Sequence, residues 1–159
     1  MPATYESIST TTLSSTASSV TLSSIPSTYT DLILVITNTS GGGLAGVYLS
    51  EINSDTGTNY SHTKIYGTGS VAGSDRNTSD TSVNIGLSNS TQCNNIFHFM
   101  NYYNTTTYKT VLARGNSASG QTRASVTLWR NTAAITSFKI SGVTFDVGST
   151  FTLYGIKAA

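Results

Sequence analysis

The chain has little of what usually anchors a small protein from outside. Of its 159 residues, one is cysteine, two are proline, one is tryptophan, and 9% carry a charge. A single thiol, Cys93, excludes an intramolecular disulfide and a cysteine-based metal site, which leaves it the reading of a small buried side chain. Scarce proline leaves backbone N–H groups free to pair along strands. The eight basic and seven acidic residues leave a net charge of +1. They form no stripe that would neutralise a phosphate backbone, so nucleic acid is not an expected partner. No apolar run reaches transmembrane length, so no membrane is expected. The start, Met1-Pro2-Ala3-Thr4-Tyr5-Glu6, has neither the basic end nor the apolar stretch of a leader, and synthesis in the cytoplasm follows as the expectation.

Hydroxyl residues fill the gap, with Ser and Thr making up about a third of the chain. Such polarity alone would suit disorder, but β-branched and aromatic residues recur in short runs from end to end, as disordered tracts do not. The length fits one domain, residues 1–159. A surface with so little charge has little self-repulsion, which suits a protein working inside an assembly.

The runs predict strands. Candidates are Tyr5 to Ser9, Val20 with Leu22, Leu32 to Ile36, Val47 to Ile52, Ser61 to Tyr66, Val83 to Leu87, Ile96 to Tyr102, Tyr108 to Arg114, Arg123 to Trp129, Ile135 to Ile140 and Phe151 to Ile156. Gly41-Gly42-Gly43 breaks the chain, Gly67-Thr68-Gly69 turns it, and Gly115 with Gly120 marks a further break. The expected fold is all-β, a jelly-roll-like antiparallel β-sandwich of about nine to eleven strands. Leu32-Ile33-Leu34-Val35-Ile36 is apolar without interruption, which predicts cover on both faces of its strand. One cover is the core. The other is a loop of the same chain or a neighbouring subunit, making Leu32, Leu34 and Ile36 candidate interface residues.

Chemistry is harder to find. A glycosidase needs two carboxyl groups facing across a bond, and the nearest nomination, Glu51 with Asp55, reads as two surface acids on a strand end and turn. His62 and His98 are far apart, with no metal-ligand spacing and no evident acidic orienter. No Gly-x-Ser-x-Gly elbow occurs. Gly67 to Gly73 lacks the Lys-Ser/Thr ending and helix of a phosphate loop. Asp75, Asn77 and Asp80 could offer oxygens to calcium, but without EF-hand spacing. No catalytic, cofactor or metal residue is expected, and the chain reads as a non-enzyme. Tyr102, Tyr103 and Tyr108 bracket the turn Asn104-Thr105-Thr106-Thr107, where rings beside amides and hydroxyls could stack on a glycan or meet a protein partner. Trp129 reads as a packing residue.

Three stretches resemble small β-sandwich virion structural proteins of tailed bacteriophages. They are Ser19-Val20-Thr21-Leu22-Ser23-Ser24-Ile25-Pro26-Ser27-Thr28-Tyr29-Thr30-Asp31-Leu32, Trp129-Arg130-Asn131-Thr132-Ala133-Ala134-Ile135-Thr136 and Gly148-Ser149-Thr150-Phe151-Thr152-Leu153-Tyr154-Gly155-Ile156. The resemblance implies a capsid decoration or cement protein, made in the host cytoplasm and placed on the outer capsid surface. Its partners would be the major capsid protein and copies of itself in a homotrimer. The alternative it implies is a tail fibre or receptor-binding module that recognises a cell-surface glycan. No catalytic residue carries over.

Overall fold

The computed structural model describes residues 4–117 and 119–157. Met1, Pro2 and Ala3, part of the segment read above for a leader, lie outside the described residues, as do the last two residues of the expected 1–159 domain. Twelve strands follow in order: β1 (Tyr5–Thr12), β2 (Ala17–Leu22), β3 (Asp31–Asn38), β4 (Ala45–Ile52), β5 (Tyr60–Gly67), β6 (Ala72–Asp80), β7 (Val83–Ser88), β8 (Cys93–Met100), β9 (Lys109–Ser117), β10 (Thr122–Trp129), β11 (Phe138–Phe145) and β12 (Thr150–Ile156). They form an eight-stranded sheet ordered β1-β12-β3-β8-β9-β10-β5-β6 and a four-stranded sheet ordered β2-β11-β4-β7. Neighbours pair antiparallel throughout.

Removing β5, β6, β9 and β10 leaves β1-β12-β3-β8 facing β2-β11-β4-β7, eight strands in two interleaved Greek keys. That is a jelly roll. The two inserted hairpin pairs come from different parts of the chain, and both extend the large sheet from its β8 edge.

One strand more than expected is present, and β6 is the strand that sequence patterning missed. It reads Ala-Gly-Ser-Asp-Arg-Asn-Thr-Ser-Asp and is almost wholly exposed. It is an edge strand bonded on one side only, so no apolar alternation marks it. Gly115, expected to break the chain, lies inside β9 opposite Arg123 and Asn95. The strand near Ile135 begins instead at Phe138; Ile135 is buried in the preceding loop.

Leu32, Leu34 and Ile36 are fully buried between the sheets. The expectation that they form an interface is therefore corrected. Side chains alternate along a strand, and it is Ile33 and Val35 that face outward. The core these residues join holds Phe99 stacked on Phe138 at 4.6 Å and Phe145 edge-on to Phe151 at 5.1 Å. Each buried apolar side chain of this kind is worth about 1.5–3 kcal/mol in removal from water.

At the small sheet's edge, β7 crosses toward the extension and contacts β8, β9 and β10. Asn95 of β8 fastens it there: its Oδ1 accepts from Leu87 N at 2.7 Å, while its Nδ2 donates to Leu87 O at 2.8 Å and Asn38 Oδ1 at 2.9 Å. Asn38 in turn donates to Ser88 Oγ at 2.7 Å. The amide occupies space left by two missing side chains. A Cβ at Gly86 would lie 2.8 Å from Asn95 Oδ1, and one at Gly115 would clash with the same atom.

Candidate interaction face

The outer surface of the large sheet is built by register. One row runs Ile33–His98–Leu112–Val126–Thr63, across β3, β8, β9, β10 and β5. The next runs Val35–Ile96–Arg114–Ala124–Ile65 across the same strands. These residues all point away from the small sheet, because their neighbours in each strand point into it. The result is an aliphatic strip, with a shallow groove of about 470 Å³ lined by Ile33, Ile65, Ile96, Leu112 and Val126 among others. Ile65, Val126 and Leu112 are 62%, 52% and 40% exposed. No described loop covers them. The sequence reading recognised a doubly apolar strand only in β3; the same signal, apolar residues at both parities, was present in Val111-Leu112-Ala113 of β9.

Two polar features interrupt the strip. His98 Nε2 lies 2.7 Å from Asp31 Oδ2, and Asp31 Oδ1 accepts from Asn101 N at 2.7 Å. His98 thus has an acidic partner that its sequence neighbours do not announce, brought to it by the β3–β8 register. Arg114 is exposed, and its side chain makes no hydrogen bond or ion pair among the described residues.

The other nominated groups are dispersed. Tyr102 is fully buried, and its hydroxyl donates to Pro26 O. Its ring cannot stack on a glycan, which corrects that expectation. Tyr103 and Tyr108 are exposed. Between them, Asn104 Oδ1 accepts from the backbone N–H and the hydroxyl of both Thr106 and Thr107, so the turn's polar groups mostly satisfy each other. Beneath it the buried Lys109 donates to Thr107 O and Thr132 O, and burial pushes its pKa down.

Glu51 and Asp55 do separate structural work. Glu51 pairs with Lys139 at 2.9 Å. Asp55 accepts from Trp129 Nε1 at 2.7 Å, Asn59 Nδ2 at 2.9 Å and Gly57 N at 2.8 Å. Burial pushes the Asp55 pKa up, but these hydrogen bonds outweigh it and hold the carboxyl below its ordinary value. Tyr60 donates to Asp55 O and accepts from Ile52 N, and burial, aided by the nearby acids, pushes its pKa up to about 12. Trp129 is buried, as a packing residue would be.

His62 is also buried, with Nδ1 3.4 Å from Asp80 and Nε2 3.9 Å from Asp75. Asp75 is engaged by Lys64 at 2.7 Å and Asp80 by Asn77 at 2.6 Å, so the oxygens proposed for calcium have internal partners. Among the described residues no group of three or more His, Cys, Asp or Glu side chains could hold a metal ion. Among the described residues there is no helix long and apolar enough to cross a membrane. Cys93 is buried.

No family model matches the chain, and no curated protein matches it. Among solved structures it is similar to the crystal structure of exo-inulinase from Aspergillus awamori, at 11% identity and a TM-score of 0.47. The match covers 97% of this chain and 29% of that one, so the chain spans less than a third of the protein it matches. At that score the likeness bears neither on activity nor on substrate.

Proposed function

We propose that the chain is a structural component of a bacteriophage virion, a cement protein that binds the outer shell through the major capsid protein and stabilises it by surface contact rather than by chemistry. The observation that carries this reading is the uncovered aliphatic face of the large sheet, on a chain whose charge is too low to keep copies apart. An apolar patch of this breadth marks an association surface in a soluble β-sandwich. The resemblance of the three stretches to virion proteins supplies the setting. A cement protein needs only modest contacts per subunit, because an assembled unit makes its second contact at high effective concentration.

The test is the copy number of the chain in purified particles, by quantitative mass spectrometry against the main shell protein. Comparable abundance supports the cement role; absence from particles sinks it. A small fraction would move the chain to the tail. That second reading, a receptor-binding module, is favoured by the two exposed rings of Tyr103 and Tyr108 on one turn. Glycan-array binding lost in Tyr103→Ala and Tyr108→Ala would establish it.

A further inference from the structure

We infer that His62 is a proton-operated latch on the edge strand β6: a protonated ring donates to one carboxylate of β6 at each nitrogen and fastens the strand, and a neutral ring lets it loosen. The inference concerns the sheet extension alone and does not rest on the virion reading.

Strand β6 is the free edge of the large sheet, bonded only to β5, and all but two of its residues are exposed. Little packing holds it, so side chains that reach across from β5 matter. Alternation sets Asn77 opposite His62 and Asp75 opposite Lys64 on the inward side. Continued from Asn77 by the same rule, Asp80 would face outward. A bulge shifts the register between the Tyr60 and His62 pairings, so Asp80 comes opposite the inward Tyr60; re-aiming a side chain in this way is what bulges do. The ring thus has a carboxylate beside each nitrogen, with Asp80 Oδ2 3.4 Å from Nδ1 and Asp75 Oδ2 3.9 Å from Nε2. His62 is buried, and neither nitrogen makes a hydrogen bond among the described residues.

An ionised carboxylate only accepts. A neutral imidazole has one N–H, so in either tautomer a bare nitrogen faces a carboxylate oxygen; the imidazolium has two N–H groups and matches both. Each approach can then close into a charge-assisted hydrogen bond, shorter and stronger than a neutral one. Asp80 Oδ1 already accepts from Asn77, which leaves Oδ2 for the ring. The hydrogen bond and charge of Lys64 hold the Asp75 carboxyl below its ordinary value, so it is ionised where a histidine takes up its proton, near pH 6.5.

The other charged groups around β5 have partners elsewhere. The strands packed against it are β6, β10 and β7. Strand β7 carries no ionisable side chain, β10 carries Arg123, and β6 adds Arg76 to the two acids. Arg123 donates to Asn84, Gly86 and Gln121, and Arg76 lies opposite Thr63 on the outer side. On β5 itself Lys64 holds Asp75 at 2.7 Å, the Tyr60 hydroxyl is bonded to Ile52 and Asp55, and the Tyr66 ring lies against Gly73. Glu51 and Asp55, near Tyr60, are engaged by Lys139 and Trp129. Lys64 and Arg123 oppose a further positive charge, and the two carboxylates at the ring's own nitrogens offset them. The docked strand therefore holds the proton more tightly than the open one, and by linkage a fall in pH through the histidine range favours docking.

The experiment is hydrogen exchange of the full chain, corrected for the intrinsic rate at each pH. It is run in a His98→Gln background, because the chain has two histidines and His98 has an acid of its own. Between about pH 8 and about pH 5.5, a window that spans the histidine range and spares the carboxylates, protection of the β6 amides should rise at least about tenfold, the size of one hydrogen bond to a charged group. Protection of β3 and β12 should stay the same. Adding His62→Gln should abolish the rise, and Asp80→Asn, at a partly exposed position, should reduce it at least about threefold by removing one charged acceptor. A thermal melt checks that each variant folds, and if His62→Gln does not, Asp80→Asn decides. Protection of β6 that is unchanged or lower in acid overturns the inference. So does a rise shared equally by β3 and β12, one that survives His62→Gln, or one that Asp80→Asn leaves undiminished.

Discussion

The large sheet has two halves that differ in what lies beneath them. Under β12-β3-β8 the small sheet provides the cover, and the inward Leu32, Leu34, Ile36, Phe97, Phe99, Phe151 and Leu153 join one apolar core. Beyond β8 the cover ends at β7, and the inward face of β10 and β5 becomes His62, Lys64, Arg123, Ser125 and Thr127. Several of these are buried with atoms that make no hydrogen bond among the described residues: both ring nitrogens of His62, which have only the longer approaches to Asp80 and Asp75, Arg123 Nε, Ser125 Oγ and Thr127 Oγ1. Arg123 still donates through its terminal nitrogens to Asn84, Gly86 and Gln121. The first half is held by packing. The second is a sheet extension that joins the core through Tyr60, Val111, Ala113 and Trp129 and is otherwise held by ladder hydrogen bonds and by the polar fastening at Asn95. Buried polar atoms without partners cost stability, so the extension has the lower local stability of the two.

The largest effect should come from the packed half. Phe99→Ala removes a fully buried ring that stacks on Phe138 and should cost about 3–5 kcal/mol, as large-to-small aromatic changes do. Urea unfolding followed by Trp129 fluorescence measures it. A cost under about 1 kcal/mol would mean that the two sheets are not packed as described.

The junction comes next. Asn95→Ala removes the side-chain partner of the N–H and C=O of Leu87 and of Asn38 Oδ1, at about 1–3 kcal/mol for each group left unpaired in the interior. Hydrogen exchange should show the opening first in β7 and β9, ahead of β3 and β12. Simultaneous loss of protection across all four strands would erase the distinction between the halves.

Much of this division was legible in the sequence. The alternation of β7, β8 and β12 is plain in Val83-Asn84-Ile85, Phe97-His98-Phe99 and Phe151-Thr152-Leu153, and the all-β sandwich follows from such runs. Strand β6 was not legible, because an exposed edge strand buries nothing and so leaves no apolar period. The association face was half legible. A run with both parities apolar announces cover on both sides, but not which parity faces the core; that is set by the register with β8 and β12, and it assigned Leu32, Leu34 and Ile36 inward and Ile33 and Val35 outward. The pairing of His98 with Asp31 was invisible for the same reason, since 67 residues separate them and only strand register joins them. Tyr102 and Tyr103 are adjacent in sequence, yet one is core and the other surface, as alternation at a strand end allows.

Acid should act at the rim of the packed half through Asp55. Its folded pKa is held below the unfolded value. Its ionised form therefore contributes stability that is complete above the ordinary carboxylate range, near pH 4, and that is lost as pH falls through the folded value. Trp129, whose indole N–H donates to this carboxylate, reports the change directly. Asp55→Asn should flatten the pH dependence of stability below about pH 4 relative to the parent; an unchanged acid limb in the variant would show that another group governs it.

The smallest expected effect is the most discriminating, because it has the opposite sign. Thr127 is fully buried on the inward face of the extension, and its hydroxyl has no hydrogen-bond partner. Thr127→Val keeps the β-branched shape that suits a strand and replaces the unpaired hydroxyl with a methyl of similar size. Removing an unsatisfied polar atom without opening a cavity is neutral to stabilising, here by about 0–1 kcal/mol. The gain should appear as a higher denaturation midpoint with an unchanged slope, since the surface exposed on unfolding stays the same. A loss of more than about 1 kcal/mol would mean that the hydroxyl is used in the folded protein. The extension would then be a satisfied polar layer, as well fastened as the core beside it, and local opening would no longer be expected to begin there.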